Sequence, residues 1–490
     1  MAKRKHTTNG DSGATPVDIP SKKIKTAIPI PRTKSKATKT TIQVTIQVVT
    51  GSYDRVLHGI TTTIPIEGDA QFADTFLFDA HVSAIRCLAI SPPSAPIPNQ
   101  PQKIILASGS TDERINLYHL SAHAPSKITV PVIPTLTSRP VVENAQNREL
   151  GTLGHHSSNI TALYFPTRSK LLSSAEDSVI AVTRTKDWNL LSTIKAPIPK
   201  AVGRPSGDTA PMGGAPSGVN DFAVHPSMKL MISVGKGEKC MRLWNLVTGK
   251  KAGVYNFERG LLGEVGEGRF SSGEGRKVAW GNNDEQDEFC VGFERGILVF
   301  GMDCKPKCKV VPEPRTKIHQ LSYVVVGQSD EVQILAVSTD DGRTLFYSTR
   351  PSDLVTVPEV EGKDTPLPSA RLVAQLGGKA VGLSGRIKDF TVLHVEWGES
   401  KHLILVAGGS DGAIRIWKIS PADLAPHTGD VKQIGSMLGV CETNNRITCL
   451  KAFVMLPSLD EEIDEEEFEG FDGEGEPFEE GPESSSSDSE

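Results

Sequence analysis

Apolar and polar residues alternate in short runs along most of this 490-residue chain, and turn residues separate the runs. The clearest example is Leu405–Ile419, LVAGGSDGAIRIWKI, in which two apolar strands flank the turn sequence GGSDG. Glycine provides the positive φ angles that a tight turn needs, and Asp411 can hydrogen-bond its own backbone across the bend. The stretch therefore predicts a β-hairpin.

The hairpin pattern recurs with a fixed spacing, because an acidic residue is followed six residues later by an aromatic one. The pairs are Asp112–Tyr118, Glu238–Trp244, Glu294–Phe300, Asp341–Tyr347 and Asp411–Trp417, with a degenerate copy at Asp177–Thr183. A further apolar strand precedes each hairpin, for example AIRCLAI from Ala84. Such recurring units predict a repeat architecture built from four-stranded sheets.

Six units are nearly complete, and the two ends of the repeat region supply parts of a seventh. The stretch IQVVTGSYDRVLHGI, from Ile46, has a hairpin but no first strand, whereas NRITCLKAFVM, from Asn445, has a first strand but no hairpin. Pairing them in one sheet would remove exposed strand edges. The prediction is an all-β domain over residues 41–457, with loop insertions near 197–216 and 351–384.

The repeats resemble those of the WD-repeat family of β-propellers, in which Gly-His precedes the first strand and Trp-Asp ends the third. The Gly-His places are occupied by Gly154-His155 and Ala80-His81, and the Trp-Asp places by Trp244-Asn245 and Trp417-Lys418. The resemblance implies a seven-bladed WD-repeat β-propeller that is closed by N- and C-terminal strands sharing one blade.

Several side chains at repeat-fixed positions predict a buried hydrogen-bond network that ties the loop of a blade to its hairpin. They are His81, Ser108, Asp112, Tyr118, His155, Ser173, Asp177 and Asp411, while Trp244 and Trp417 are expected to pack between neighbouring blades. The alternative is a catalytic Ser-His-Asp set, but the sequence lacks Gly-x-Ser-x-Gly or another nucleophile context. Gly-rich runs also lack the Lys-Ser/Thr ending of a phosphate-binding loop. We therefore expect a protein without catalytic residues or cofactors.

Charge is concentrated at the two ends of the chain. Residues 1–40 hold ten Lys/Arg and two Asp, whereas residues 458–490 hold sixteen Asp/Glu and no Lys/Arg. Neither segment has apolar periodicity, so both are predicted to be disordered arms. Two basic clusters predict nuclear import and contact with RNA phosphates, with a solubilising tail as the alternative. Their residues are Lys3, Arg4, Lys5, Lys22, Lys23 and Lys25.

The acidic arm spaces three phenylalanines among its carboxylates, a pattern that suits docking on a basic partner. A solvated, self-repelling tail is the alternative. Several serines stand beside acidic residues, as acidophilic kinases require, and phosphorylation would add further negative charge. The candidate phosphorylation sites are Ser484, Ser485, Ser486, Ser487 and Ser489.

Seven scattered cysteines favour reduced thiols in the cytosol or nucleus. Cys304 and Cys308 form the one close pair, and a zinc site would need two more ligands that the sequence does not offer at a fitting spacing. No apolar run is long enough for a transmembrane helix, and the N-terminus lacks the apolar core of a secretory signal. We expect no metal, no membrane partner and no small-molecule substrate.

Three further stretches, in their order along the chain, resemble sequences of a narrower group. This group is the nucleolar WD-repeat family of the maintenance-of-killer type, whose animal members are named p21-activated-kinase-interacting proteins. They are KDW at 186–188, HPSMKL at 225–230 and RLWNLVTG at 242–249. The resemblance implies a scaffold in nucleolar assembly of the large (60S) ribosomal subunit, with assembly proteins and pre-rRNA as partners. It also implies a side role toward p21-activated kinase, so an adaptor in a kinase-regulating or other nuclear complex is the alternative. The expected location is the nucleus and nucleolus.

Overall fold

The computed structural model describes residues 43–98, 100–125, 139–199, 216–268, 271–283, 286–326, 332–356, 366–383, 385–397, 400–425 and 431–458. These residues lie in one compact unit that begins at Ile42. The predicted basic arm, and the predicted acidic arm beyond Ser458, lie outside the described residues. The same holds for Lys3, Arg4, Lys5, Lys22, Lys23, Lys25, Ser484, Ser485, Ser486, Ser487 and Ser489, whose predicted roles stay predictions.

The described strands form seven sheets, which we number as blades. Blade 7 opens the chain with β1 (Gln43–Ser52), β2 (Val56–Pro65) and β3 (Gln71–Asp79). Blade 1 consists of β4 (Ile85–Ile90), β5 (Lys103–Ser110), β6 (Ile115–Ser121) and β7 (Arg148–Leu153). Blade 2 consists of β8 (Ile160–Thr167), β9 (Lys170–Ala175), β10 (Val179–Arg184) and β11 (Leu190–Lys195). Blade 3 consists of β12 (Val219–Val224), β13 (Leu230–Gly235), β14 (Cys240–Asn245) and β15 (Lys250–Asn256).

The second half of the chain repeats this plan. Blade 4 consists of β16 (Lys277–Asn283), β17 (Gln286–Gly292), β18 (Ile297–Gly301) and β19 (Pro306–Val310). Blade 5 consists of β20 (Ile318–Val325), β21 (Gln333–Thr339), β22 (Arg343–Ser348) and β23 (Arg371–Gly377), with the short β27 (Lys432–Gln433) at its edge. Blade 6 consists of β24 (Ile387–Trp397), β25 (Ser400–Gly409), β26 (Ala413–Ile419) and β28 (Ser436–Glu442). The short helices are α1 (Arg259–Glu264) and the 3-10 turns Pro351–Asp353, Lys379–Val381 and Pro421–Leu424.

The last strand, β29 (Ile447–Val454), closes the ring. It pairs antiparallel with β1, so that Val48 lies opposite Ala452, and the sheet order of blade 7 is β29, β1, β2, β3. The chain is thus a seven-bladed β-propeller in which strands from the two ends of the fold share one blade. The predicted fold and its closure are confirmed.

The hydrophobic core lies between the blades rather than within any one of them. Seven clusters of buried apolar residues each combine side chains from two neighbouring blades, and together they cover all seven junctions of the ring. Strand alternation produces this arrangement, because each sheet presents apolar side chains on both faces to its two neighbours. A single blade therefore cannot bury its own apolar surface, and the ring is the folding unit.

One predicted insertion is partly wrong. The segment 351–384 contains β23, the outer strand of blade 5, in addition to loop residues. Its sequence RLVAQLG has the apolar pattern of a strand, and Val373, Ala374 and Leu376 are buried in the junction of blades 5 and 6. Most of the other insertion, at 200–215, lies outside the described residues.

Candidate functional site

The predicted network of blade 1 forms one chain of hydrogen bonds. Nδ1 of His81 lies 3.0 Å from Oδ2 of Asp112, and Nε2 lies 2.8 Å from Oγ of Ser108. Asp112 also accepts from the backbone N–H of Val82 at 3.2 Å. Tyr118 lies on the same side of the blade, where burial raises the pKa of its phenol and Ser108 opposes that shift. The structure thus brings together all four residues that the sequence assigned to this blade.

Blade 2 has the same arrangement, but its histidine is His156 and not the predicted His155. Nδ1 of His156 lies 3.0 Å from Oδ2 of Asp177, and Nε2 lies 2.8 Å from Oγ of Ser173. The reason is register: His81 precedes the first residue of β4 by four positions, and His156 precedes the first residue of β8 by four. His155 lies beside this network, and burial lowers its pKa.

Three other blades replace the histidine by an arginine on their own hairpin. Asp411 accepts from Nη2 of Arg415 at 2.6 Å and from the backbone N–H of Ala413 at 3.2 Å. Glu238 pairs with Arg242 in blade 3, and Asp341 pairs with Arg343 in blade 5. Asp411 therefore supports its turn through a cation that follows it in sequence, and no loop histidine is required.

The aromatic residues of the repeat lie in the junctions between blades. Trp417 is buried with residues of blade 5, and Trp244 is buried with residues of blade 2. The indole Nε1 of Trp244 donates to Oγ of Ser233 at 2.7 Å. In each of these blades the pairing between the third and fourth strands shifts by one residue immediately before the aromatic. The bulge places the ring at the junction with the preceding blade.

The Ser-His-Asp geometry of blade 1 is that of a support and not of a nucleophile. Ser108 is 0% exposed, and its hydroxyl is occupied by His81. A nucleophile must reach a substrate carbonyl within about 3–3.5 Å, and the packed strands leave no room for one here. Burial also lowers the pKa of His81, against the opposing effect of Asp112.

The inner strands of all seven blades line a central channel of about 1360 Å³. Two carboxylates cross-link these strands. Asp389 on β24 accepts from Gln320 Nε2 of blade 5 at 3.0 Å and from the backbone N–H of Leu450 of blade 7 at 3.0 Å. Asp221 on β12 accepts from the backbone N–H of Val278 of blade 4 at 3.1 Å, and burial raises its pKa. The channel wall is therefore tied together by polar contacts.

The channel carries an excess of positive charge, since nine Lys/Arg and five Asp/Glu line it. Arg86, on the innermost strand of blade 1, forms no ion pair with any residue that the structure describes. Burial first, and then the neighbouring cations Arg386 and Lys317, lower the pKa of Lys388 against the opposing effect of Asp340. This crowding of cations makes the channel attractive to anions.

One mouth of the channel adds an exposed aromatic residue. We call it the upper mouth; it lies on the face that holds the turns between the second and third strands. Tyr53, in the β1–β2 turn, is 59% exposed, and the guanidinium of Arg446 lies 5.3 Å from the centre of its ring. The backbone N–H of Arg446 donates to Asp54 at 3.1 Å, so the pair is held at the closure of the ring. A cation over an exposed ring suits contact with phosphates and bases.

Comparison with known proteins agrees with this geometry. The family model described as WD domain, G-beta repeat matches residues 147–182, which include the network of blade 2. Protein MAK11 of Saccharomyces cerevisiae is 28% identical over 398 residues, which are 76% of this chain and 78% of that protein. The chain is a seven-bladed propeller that contains a WD40 repeat and is similar to Protein MAK11.

Other relatives of the propeller carry names that refer to kinases. The p21-activated protein kinase-interacting protein 1-like of Xenopus laevis is 24% identical over 413 residues, 84% of this chain and 83% of that protein. Shk1 kinase-binding protein 15 of Schizosaccharomyces pombe is 24% identical over 307 residues, 62% of this chain and 69% of that protein. The relatives thus place the propeller among WD-repeat scaffolds and adaptors.

Sequence reasoning missed the residues of the channel and its mouth. Arg86, Asp389 and Arg446 come from separate blades, and only the closed ring brings them to one space. Tyr53 did give a signal, because an aromatic residue at the tip of a hairpin turn cannot be buried by its own strands. Among the described residues, no group of three His, Cys, Asp or Glu is placed to hold a metal ion. No described helix is long and apolar enough to span a bilayer.

The seven cysteines are free thiols. Cys449 is buried, and burial raises the pKa of its thiol to about 12. Burial likewise raises the pKa of Cys304 and Cys308, and Cys308 lies inside the junction of blades 4 and 5. Protonated, buried thiols are weak nucleophiles and poor metal ligands, so the five buried cysteines of the propeller serve as small apolar side chains.

We expect the stability of the propeller to fall on mild acidification, in part through His119. Burial, with Arg148, Arg168 and Lys103 around it, lowers the pKa of His119 to about 4. The unfolded chain binds this proton at about pH 6.5, so acidification from about pH 6.5 to about pH 4 favours unfolding. In urea titrations, the His119→Gln variant should lose less stability than the unsubstituted protein across this window. Around pH 8, His119 does not titrate in the folded or the unfolded protein. The difference in free energy of unfolding between the two proteins should therefore not change with pH there. Parallel losses across the acidic window would contradict the assignment.

Proposed function

We propose that this WD40 propeller is a non-catalytic scaffold in nucleolar assembly of the large ribosomal subunit, where it holds assembly proteins and pre-rRNA. The proposal rests first on the similarity to Protein MAK11 across about three quarters of both chains. It agrees with the resemblance of residues 186–188, 225–230 and 242–249 to the nucleolar WD-repeat family. The proposed location is the nucleus and nucleolus.

The upper mouth supports pre-rRNA as one of the ligands. RNA affinity depends on cations for the phosphates and on flat side chains for unpaired bases. The mouth offers both, since Lys236, Arg276 and Lys317 surround the channel entrance where Arg446 lies over Tyr53. Each of the three cations has an acidic neighbour, with Lys236 3.1 Å from Glu176, and Arg276 and Lys317 3.3 and 3.7 Å from Glu294. Partly exposed ion pairs of this kind are weak, so an RNA phosphate can compete for the cations.

The decisive observation is co-migration of the tagged, full-length protein with large-subunit precursors on a sucrose gradient. Ultraviolet crosslinking of the same particles then reports pre-rRNA contact. The Tyr53→Ala/Arg446→Glu variant should crosslink about tenfold less, because loss of one stacked base and one cation removes about 1–3 kcal/mol. Lys305→Glu, at a solvent-exposed position of blade 4 away from the mouth, is the matched control and should crosslink normally.

Failure of the tagged protein to sediment with large-subunit precursors would refute the assembly role. Normal sedimentation with unchanged crosslinking of the Tyr53→Ala/Arg446→Glu variant would retain the scaffold and remove the RNA contact at the mouth. Circular dichroism should show that both variants keep the β-sheet signal, since Tyr53 and Lys305 are exposed.

A kinase adaptor is the second candidate, and the names of the two relatives from Xenopus laevis and Schizosaccharomyces pombe favour it. In this role the propeller would bind a p21-activated kinase or a related kinase and restrain it. Purified propeller and kinase domain, mixed at micromolar concentrations, should then form a complex on size exclusion. Binding without sedimentation on precursors would favour the adaptor over the scaffold.

A further inference from the structure

Four of the seven blades have their outer strand covered by a short segment from the following blade. The backbone N–H of Lys309 on β19 donates to Pro368 at 2.9 Å, and that of Ala370 returns to Lys309 at 2.8 Å. On blade 5, β23 pairs with β27. On blade 6, Leu438 accepts from Ala70 at 2.8 Å. On blade 7, the backbone N–H of Asp74 donates to the carbonyl oxygen of Pro140 at 2.9 Å. The carbonyl oxygen of Asp74 accepts from the backbone N–H of Val142 at 2.8 Å.

The covers share one origin and one direction. Each comes from the connection between the third and fourth strands of the next blade. Three of them are parallel bridges or ladders, at Lys309–Ser369, at β23–β27 and at Asp74–Val141. The outer strand of this propeller is therefore a place where an extended segment adds in parallel through main-chain hydrogen bonds.

The outer strands of blades 1, 2 and 3 lack such a cover among the described residues. No backbone hydrogen bond leaves β7, β11 or β15 for a described residue outside its own sheet. The connection that would cover β15 runs from β18 to β19 through residues 302–305, and it is too short to reach back over blade 3. At these three edges, the outward N–H and C=O groups have no partner among the residues that the structure describes.

Of these three edges, β15 has the charge that most clearly favours a partner of one sign. Lys250 and Lys251 are exposed at its start and form no ion pair with a described residue, and the strand has no acidic residue. Blade 3, residues 219–256, holds six Lys/Arg and two Asp/Glu. Both acids are occupied, Asp221 by β16 and Glu238 by Arg242. By contrast, β7 places Glu149 beside Arg148.

The backbone of β15 is also presented for pairing. Phe257 donates its N–H inward to Lys239 at 2.8 Å, so strand alternation directs the N–H of Val254 outward. The side chain of Val254 is 45% exposed. A Cβ built on the neighbouring Gly253 meets no atom within 4 Å, so the face of the sheet is open at this position.

We propose that the outer edge of blade 3, strand β15, binds an extended acidic segment of a partner protein, which adds to the sheet parallel to β15. The lysines repel a second copy of the same edge and attract a segment of opposite charge. This docking site is independent of the pre-rRNA contact at the upper mouth, because β15 is the outermost strand of its blade and the mouth is formed by inner strands and turns.

The test uses the full-length protein and a fluorescent synthetic peptide that alternates glutamate and valine. Val254→Pro removes the outward N–H at an edge position, where proline is tolerated, whereas Val254→Thr keeps that donor. We expect the peptide to bind about tenfold more weakly to the Val254→Pro variant and to the Lys250→Glu/Lys251→Glu variant. Val254→Thr and Lys305→Glu should bind normally. Hydrogen exchange should show protection of the β15 amides by the peptide.

Equal binding to Val254→Pro and Val254→Thr would overturn the proposal, as would peptide protection at amides outside β15. The acidic residues 459–490 of this chain are an alternative occupant. A chain that ends at Ser458 retains every described strand and tests this directly. If β15 is protected in the full-length protein and exposed in the shortened one, the edge serves the chain's own tail and the proposal of a partner segment fails. The same β15 exchange in both chains, before peptide is added, supports the proposal.

Discussion

Replacing Leu450 by alanine should destabilise the whole ring by about 2–5 kcal/mol. Leu450 is 0% exposed on β29 and packs in the junction of blades 6 and 7 with Ile46 and Ile416. The truncation leaves a cavity in the one sheet whose strands come from both ends of the fold. Chemical denaturation should record the loss as a lower midpoint, with circular dichroism and tryptophan fluorescence shifting together.

Val454→Ala is the matched control for this prediction. Val454 ends the same strand but is 40% exposed, so its truncation should cost less than about 1 kcal/mol. The tryptophans lie in blades 2, 3, 4 and 6, outside the closing blade. A fluorescence transition that stays in place while the circular dichroism transition moves would show that the blades unfold independently, contrary to a ring closed by β29.

Asp389→Asn should cost about 2–3 kcal/mol, whereas Asp221→Asn should cost less than about 1 kcal/mol. Both oxygens of Asp389 accept from N–H donors, with Oδ1 taking Gln320 and Oδ2 taking Leu450. An asparagine must direct its NH₂ group at one of those donors, so one buried hydrogen bond becomes a clash between donors. At Asp221 burial raises the pKa of the carboxyl, the ion pair with Lys277 is long at 3.8 Å, and an amide oxygen can still accept from the N–H of Val278.

The two aspartates occupy the same position on their inner strands, directly after a register shift, so they form a matched pair. Urea titration of both variants at neutral pH measures the difference. Equal losses of stability would indicate that the contacts of Asp389 with blades 5 and 7 stabilise the ring no more than the contact of Asp221 with blade 4 does. A larger cost at Asp389 would show that the carboxylate links blade 6 to the closing strand.

Periodicity gave the repeat and the ring, because alternation of apolar residues is a local property of each strand. The interval between Asp112 and Tyr118 locates a hairpin, and the two incomplete ends locate the closure. The same local reasoning chose His155 over His156, because it matched a dipeptide instead of counting back from β8. One residue of loop decides which imidazole reaches Ser173, and a loop's path is not visible in composition.

Other features depend on contacts between distant segments and could not be predicted from local patterns. The channel cations gather from all around the ring, and Arg86 and Lys277 are far apart in sequence. The acid of blade 6 is paired by Arg415 instead of a histidine, although the spacing from Asp411 to Trp417 is the same as in the other repeats. β23 was hidden in a long connection whose proline and charged residues obscured a seven-residue apolar strand.

The segments that cover the outer strands divide the ring into two arcs that should differ in stiffness. From blade 4 to blade 7, the outer strand of each blade is hydrogen-bonded to a segment of the next blade. A blade in this part of the ring therefore cannot tilt without moving its neighbour. From blade 1 to blade 3 the described residues contain no such fastening, and each blade can pivot with less resistance. Judged by its described residues, the ring therefore has a stiff arc and a compliant arc, and an applied force too weak to unfold the ring should tilt the blades of the compliant arc first.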